Sequence, residues 1–133
     1  MLAIAQLTMV AGARRAIAVL QTTGPRVAPA TPLALNDTPA DALEMIAADN
    51  GEAWRLRTPR LPVAVNGAGD LIAALFFFHW LKRRSAADAL AAAAASVYGV
   101  VAATVAAGSR ELRLVEAQDE LARPTHRFRP EAI

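Results

Sequence analysis

Five residues, Asn66-Gly67-Ala68-Gly69-Asp70, stand directly in front of a long apolar segment whose pattern predicts a helix. The two glycines permit a tight turn, and the first N–H groups of a helix have no partners within that helix. These N–H groups and the positive end of the helix dipole together favour an anion at the turn. The chain is therefore expected to enter a buried helix through a turn that can hold an anion.

Asp70 occupies the far end of this turn, where a carboxylate would repel a resting phosphate. The carboxylate has a chemical use there if it accepts a proton from a hydroxyl group that attacks the phosphate. That arrangement is typical of a small-molecule kinase. The alternative is that Asp70 only stabilises the helix N-terminus, by about 0.3–1 kcal/mol, and that Gly67 and Gly69 form a plain turn. Local chemistry alone favours neither.

The composition of the chain argues against several other classes of function. The chain has 133 residues, enough for one domain, and its net charge is only +2. It has no run of like charges and few aromatic residues, which argues against nucleic-acid binding. The absence of cysteine excludes disulfides, and two isolated histidines do not predict a metal site. The start Met1-Leu2-Ala3-Ile4-Ala5 lacks the basic region of a signal peptide, which favours a cytoplasmic protein.

One segment has the length of a membrane span. Residues from Ala89 to Gly108 carry no charge, and Lys82-Arg83-Arg84 precedes them. Half of these residues are alanine, and few have large side chains, which favours a buried helix and no membrane contact. A small membrane-associated helical protein is the less favoured alternative.

The order of elements predicts an α/β layer with few strands. A hairpin is expected around Asn50-Gly51, since Asn-Gly between two alternating runs is a strong hairpin signal. Two prolines argue against a well-paired central strand at 27–33. The other predicted elements are helices at 10–22 (ended by Gly24-Pro25), 71–84 (apolar on nearly every side, hence buried) and 86–107 (capped by Ser85), a loop at 58–62, a short strand at 112–115 and a helical turn at 117–122.

Several segments are similar to the pyridoxal kinases, the vitamin B6 kinases of the ribokinase-like superfamily. The glycine turn supports the superfamily, and three further segments indicate the family. These are Trp54-Arg55-Leu56-Arg57-Thr58-Pro59-Arg60-Leu61, Ala95-Ser96-Val97-Tyr98, and the stretch from Ala107 to Asp119 that reads AGSRELRLVEAQD. The resemblance runs from about Val10 to the C-terminus.

The resemblance implies ATP-dependent phosphorylation of the 5′-hydroxyl of pyridoxal, or a related B6 vitamer, to give pyridoxal 5′-phosphate. It places the catalytic base, which also contacts the substrate, at Asp70, and the anion hole at Gly67, Ala68 and Gly69. It places ATP contacts at Thr31 and at Thr58, Pro59, Arg60 and Leu61. Mg²⁺ would accompany the ATP, and no metal ligand is assigned within this chain.

Two departures from the family accompany these assignments. The strand that usually ends in Val-Thr-Ser reads Ala30-Thr31-Pro32 here, with Pro29 before it, and Ala68 stands where threonine is common. Family members are also much longer. The resemblance therefore predicts residues 1–133 to be the C-terminal, ATP-side and catalytic part of a three-layer α/β/α kinase domain with an incomplete sheet. The N-terminal half, with most of the vitamin pocket, would be absent. Three alternatives follow for such a chain: it acts as a homodimer, it acts together with a separate N-terminal piece, or it is an inactive fragment.

Overall fold

The computed structural model describes residues 10–23, 27–33 and 36–133 as four helices and four strands. Its helices are α1 (Val10–Thr23), α2 (Ala68–Arg83), α3 (Ala86–Ala106) and α4 (Asp119–Ala122). Its strands are β1 (Val27–Leu33), β2 (Ala42–Asp49), β3 (Glu52–Pro59) and β4 (Glu131–Ala132), which form one antiparallel sheet in the order β1-β2-β3-β4. The predicted α/β class with a short sheet is confirmed.

The hairpin of β2 and β3 forms where the sequence predicts it. Asn50 and Gly51 have φ angles of 52° and 84°, which a two-residue turn of type I′ requires at both positions. Pairing runs without a shift from Asp49 opposite Glu52 to Ala42 opposite Pro59. The turn therefore sets the register of the strands that lead to the glycine turn.

Strand β1 lies at the edge of the described sheet, as its two prolines predict. It pairs with β2, and its register shifts between Ala30 and Leu33. The predicted helix stop at Gly24-Pro25 and the first nine residues lie outside the described residues.

Helices α2 and α3 form an antiparallel hairpin that covers one face of the sheet. The Ser85 hydroxyl accepts a hydrogen bond from the Asp88 backbone N–H at 3.2 Å, so the predicted N-cap of α3 is confirmed. The main core lies between this hairpin and the sheet, and includes Met45, Leu56 and Phe76.

Helix α3 is long and apolar enough to cross a membrane by length and composition, with a mean hydropathy of 1.9 over its most apolar window. Eleven of its residues are buried inside the protein, Ala89, Leu90 and Ala93 completely. A helix that packs against a sheet in this way has the burial of a core helix. This burial favours the buried-helix interpretation over the membrane interpretation.

The opposite face of the sheet carries α1 at one end and a group of charges at the other. Glu44 is fully buried there, and its Oε2 accepts hydrogen bonds from Arg57 Nε and Thr38 Oγ1, both at 2.9 Å. The hydrogen bond to Glu44 raises the pKa of Arg57 above its ordinary value. Asp37 accepts from both Arg55 and Arg57 at 3.1 and 3.2 Å, so the charges of this face compensate one another.

Two predictions about local structure were wrong. Helix α2 is not buried on nearly every side: Ile72 and Phe76 are buried, whereas Phe77 is 57% exposed and Phe78 is 51% exposed. Only one face of the helix meets α3 and the sheet, so the apolar character of its other sides did not indicate burial.

The predicted strand at 112–115 is also absent. Arg113 forms other hydrogen bonds instead, because its N–H donates to Thr104 Oγ1 at 3.1 Å and its carbonyl accepts from the Ala117 N–H at 2.9 Å. The helical turn that was predicted at 117–122 forms as α4. Strand β4 was not predicted.

Candidate active site

The glycine turn adopts a conformation that only glycine takes readily. Gly67 has φ 85° and ψ 0°, and it is the N-cap of α2. Its carbonyl accepts the Leu71 N–H at 3.0 Å, while glycine has no side chain with which to cap the first N–H groups of the helix. A Cβ at Gly67 would also come within 3.3 Å of Leu112 Cδ1. The helix therefore starts with uncapped donors, which is the arrangement that favours an anion.

The turn is held in place by the segment that follows α3. The Asn66 N–H donates to the Arg110 carbonyl at 2.8 Å, and Asn66 Nδ2 donates to Glu111 Oε1 at 2.8 Å. Asn66 and Glu111 also form an isolated parallel bridge. Sequence reasoning assigned no role to Arg110 or Glu111, and only the similarity of this stretch to the kinases pointed to it.

A cavity of about 500 Å³ lies beside the turn. The ends of β2 and β3, the loop at 60–65, the first turns of α2 and the middle of α3 form its walls. Its lining residues are Leu43, Met45, Thr58, Pro59, Arg60, Leu61, Pro62, Val63, Ala64, Val65, Ala68, Gly69, Ile72, Val97, Tyr98 and Val101. The lining is mainly apolar, with polar groups at a few places, as is usual for small-molecule sites.

The cavity brings two groups of predicted site residues together. Thr58 to Leu61 line one part of it, and Ala68 and Gly69, two residues of the predicted anion hole, line another. Thr58 is buried and fixed by its position in β3, whereas Arg60 is exposed. The Arg60 backbone N–H donates to the Asp41 carbonyl at 2.7 Å, so the backbone is fixed while the guanidinium lies at the rim.

Asp70 lies in the first turn of α2 and is exposed. It follows directly on Gly69 of the lining and does not itself line the cavity. Thr31 is not brought to the cavity by the described contacts: its backbone lies in β1, and β2 separates that strand from β3. The side chain of Thr31 is outside the described part, so its ATP contact stays a prediction.

The two histidines lie away from the glycine turn. His79 packs against Phe78 with ring centroids 5.2 Å apart, and its Nε2 is buried without a hydrogen-bond partner. Burial lowers the pKa of His79, and the nearby Arg83 and Lys82 lower it further. This environment favours a neutral, structural histidine. His126 lies on the tail and contacts Tyr98.

The described residues contain no group of three or more His, Cys, Asp or Glu side chains that could hold a metal ion.

Solved structures support the fold expected for the chain. Pyridoxal kinase from Leishmania donovani in complex with ADP and pyridoxamine aligns with a TM-score of 0.82 at 22% identity. The alignment covers 96% of this chain and 46% of that one. A putative phosphomethylpyrimidine kinase from Bacteroides thetaiotaomicron aligns with a TM-score of 0.80 at 18% identity, over 94% of this chain and 44% of that one. The chain therefore has part of a ribokinase-like α/β fold.

Sequence comparison finds relatives among the pyridoxal kinases. Pyridoxal kinase PdxY of Corynebacterium diphtheriae is 46% identical over 118 residues, which are 89% of this chain and 42% of the relative. Pyridoxal kinase PdxY of Granulibacter bethesdensis is 46% identical over 122 residues, with coverages of 89% and 43%. No protein-family model matches the chain. The chain is a homologue of the pyridoxal kinases, and it spans less than half the length of these relatives.

Proposed function

We propose that this chain forms the ATP-side and catalytic part of a pyridoxal kinase. The reaction is transfer of the γ-phosphoryl group of ATP to the 5′-hydroxyl of pyridoxal, which yields pyridoxal 5′-phosphate and ADP. The observation that carries the proposal is a cavity lined by both Thr58–Leu61 and Ala68–Gly69, with Asp70 the next residue of α2 after Gly69. The homology to pyridoxal kinases supports the substrate class.

In this proposal Asp70 is the general base. Its carboxylate accepts the proton of the 5′-hydroxyl while that oxygen attacks the γ-phosphorus, and the bond to the β-phosphate oxygen breaks to release ADP. The N–H groups at Ala68 and Gly69 stabilise negative charge on the transferring group. A positioned base contributes about 10²- to 10⁴-fold. Losing one such donor costs about 2.7–4 kcal/mol in other enzymes.

Magnesium is proposed to arrive with ATP rather than at a resident protein site, because the described residues provide no carboxylate cluster. When bound with ATP, Mg²⁺ would neutralise charge on the phosphates. Arg60, exposed at the rim of the cavity, is the basic side chain of the lining and would attract the phosphates into the site.

The remaining parts of the site are proposed to come from sequence beyond this segment or from another copy. The described residues supply the glycine turn and the nucleotide-side cavity, and the relatives are more than twice as long as the aligned part. A homodimer or a separate N-terminal piece would complete the vitamin pocket. The protein is proposed to act in the cytoplasm. An inactive fragment is the second candidate, and the exposed Phe77 and Phe78 favour it, since a complete domain seldom exposes adjacent aromatic residues.

The test is formation of pyridoxal 5′-phosphate from Mg-ATP and pyridoxal. It uses the 133-residue chain and a chimera in which this chain replaces the homologous segment of the Corynebacterium diphtheriae enzyme. We expect the chimera to form pyridoxal 5′-phosphate. Asp70→Asn should lower its turnover by at least about 100-fold while ATP still binds. Activity of the chain alone would mean that it completes the site by self-association.

Asp88→Asn is the matched control, because Asp88 is an exposed carboxylate in the first turn of α3 just as Asp70 is in the first turn of α2. If both substitutions lower stability equally and both leave turnover unchanged, Asp70 only stabilises a helix end and the catalytic assignment is wrong. A chimera that folds, binds ATP and shows no turnover would support the inactive-fragment candidate.

A further inference from the structure

Tyr98 is the single tyrosine of the chain, and its half-buried side chain lies in the cavity wall. It stands on α3 between Val97 and Val101 in the lining, across from Ile72 of α2. Ile72 lies about one helical turn beyond Ala68, or about 6 Å along the axis. Since phosphates would occupy the N-terminal end of α2, this apolar part of the cavity is where a heteroaromatic base would lie.

The ring of Tyr98 is flanked by two rings from the C-terminal tail. His126 lies with its centroid 4.6 Å away at 72°, and Phe128 lies 5.3 Å away at 75°. His126 and Phe128 are nearly parallel to each other, at 5°. Edge-to-face contacts of this kind prefer one orientation, so the tail restricts how the Tyr98 ring can turn.

The tail is in turn anchored to α3 through Glu120. The Glu120 carboxylate accepts the Thr125 N–H at 2.9 Å and the Thr125 hydroxyl at 2.8 Å. This carboxylate lies directly against Gly99, where a Cβ would overlap with it. Thr125 Oγ1 is also 3.1 Å from His126 Nδ1. A continuous set of contacts therefore runs from the helix, through the tail, to the Tyr98 ring.

From these contacts we propose that Tyr98 contacts the base of a bound nucleotide, and that His126 and Phe128 are positioning residues that hold its ring for this contact. The inference rests on the proposed function, since it takes the cavity to be the nucleotide site. It adds to the site a cavity-wall residue some forty positions beyond the Thr58–Leu61 segment, and it makes the tail part of the binding site.

The experiment compares ATP with inorganic tripolyphosphate, which has the phosphates and no base. Dissociation constants are measured by calorimetry for the wild-type chain, Tyr98→Ala, Tyr98→Phe and His126→Ala. Phe77→Ala is the matched control, because it removes an aromatic ring that is exposed and outside the cavity lining.

We expect Tyr98→Ala to weaken ATP about tenfold, as loss of base–aromatic stacking does elsewhere, and to leave tripolyphosphate unchanged. Tyr98→Phe keeps the ring, and its dissociation constant for ATP should be within about twofold of the wild-type value. The dissociation constant of His126→Ala should lie between those of Tyr98→Ala and Tyr98→Phe. An equal loss for both ligands would show a merely structural role for Tyr98, and an unchanged affinity for ATP would show no contact. Either result overturns the inference.

A second readout uses the single tyrosine directly. In a chain labelled only at tyrosine, ATP should shift one set of ring resonances and give a nuclear Overhauser effect to the adenine protons. His126→Ala should move the same resonances in the free protein, because a neighbouring ring is removed. If the wild-type chain binds neither ATP nor tripolyphosphate, the nucleotide site itself is refuted. If it binds both without any effect at Tyr98, only this inference fails.

Discussion

Gly99→Ala sets two opposing effects against each other. In a helix interior alanine is normally more stable than glycine by about 0.5–1 kcal/mol. At this position, however, the new Cβ would overlap with the carboxylate and Cγ of Glu120. The side chain of Glu120 is flexible enough to move, so the cost is the loss of its two hydrogen bonds from Thr125. Thr125 is exposed, and we take about 1 kcal/mol for each bond.

The lost bonds outweigh the gain in helix propensity, and Gly99→Ala should lower the free energy of unfolding by about 1–1.5 kcal/mol. For a chain of this size the midpoint of thermal unfolding would fall by about 5 °C. In a Glu120→Ala background the obstacle is gone, so the same substitution should instead stabilise by about 0.5–1 kcal/mol. The sign of the effect therefore reverses between the two backgrounds.

Urea unfolding followed by circular dichroism of the four proteins in this cycle measures both values. Glu120→Ala alone reports the cost of the two hydrogen bonds without any added methyl group. A Gly99→Ala chain that is more stable than wild type would refute the reasoning, because it would mean that Glu120 does not lie against α3.

Three further outcomes are expected. Ser85→Ala should lower the free energy of unfolding by about 1 kcal/mol in urea, with Ser85→Thr nearly neutral, since the hydroxyl caps α3. Glu44→Gln should lower the free energy of unfolding by about 1–3 kcal/mol, because the buried carboxylate loses its charged hydrogen bond with Arg57. Glu116 is an exposed carboxylate 3.8 Å from its arginine partner, so Glu116→Gln should lower it by less than about 0.5 kcal/mol. Equal losses would contradict the burial argument. Burial lowers the pKa of His79 below its ordinary 6.5, so the folded state favours the neutral ring. The stability gained from this preference is present above pH 6.5, and it is lost as the pH falls through the lower pKa of the folded state. Thermal midpoints between pH 7.5 and 5 should therefore fall less steeply in His79→Gln than in wild type, and identical slopes would refute the shift.

Features set by two or three neighbouring residues were predictable from the sequence. The hairpin follows from Asn50-Gly51, because a type I′ turn needs positive φ at both positions. The cap at Ser85 and the uncapped start of α2 after Gly67 are likewise local. Given the two-residue turn, the same register also places Glu44 opposite Arg57, so this ion pair could have been deduced.

Features that depend on distant packing were not predictable in this way. Strand β4 has only two residues, and nothing in its own sequence marks it as a strand. The exposed side of α2 could not be separated from its buried side, because both sides are apolar. The contact of Tyr98 with His126 joins a helix to a proline-broken tail, and the tail carries no periodic pattern from which a partner could be inferred.

The topology of the sheet also suggests an order of events during folding. Strands β2 and β3 are joined by a two-residue turn, and hairpins of this kind close in about 1–10 μs. By contrast, the pairing of Arg55 with Glu131 joins residues 76 positions apart, and such closures are slower because more chain entropy is lost first. We therefore expect the tail to dock after the hairpins. The aromatic wall at Tyr98 would then be completed last, so a newly synthesised chain would acquire this proposed base-binding surface only once residues 126–128 had left the ribosome.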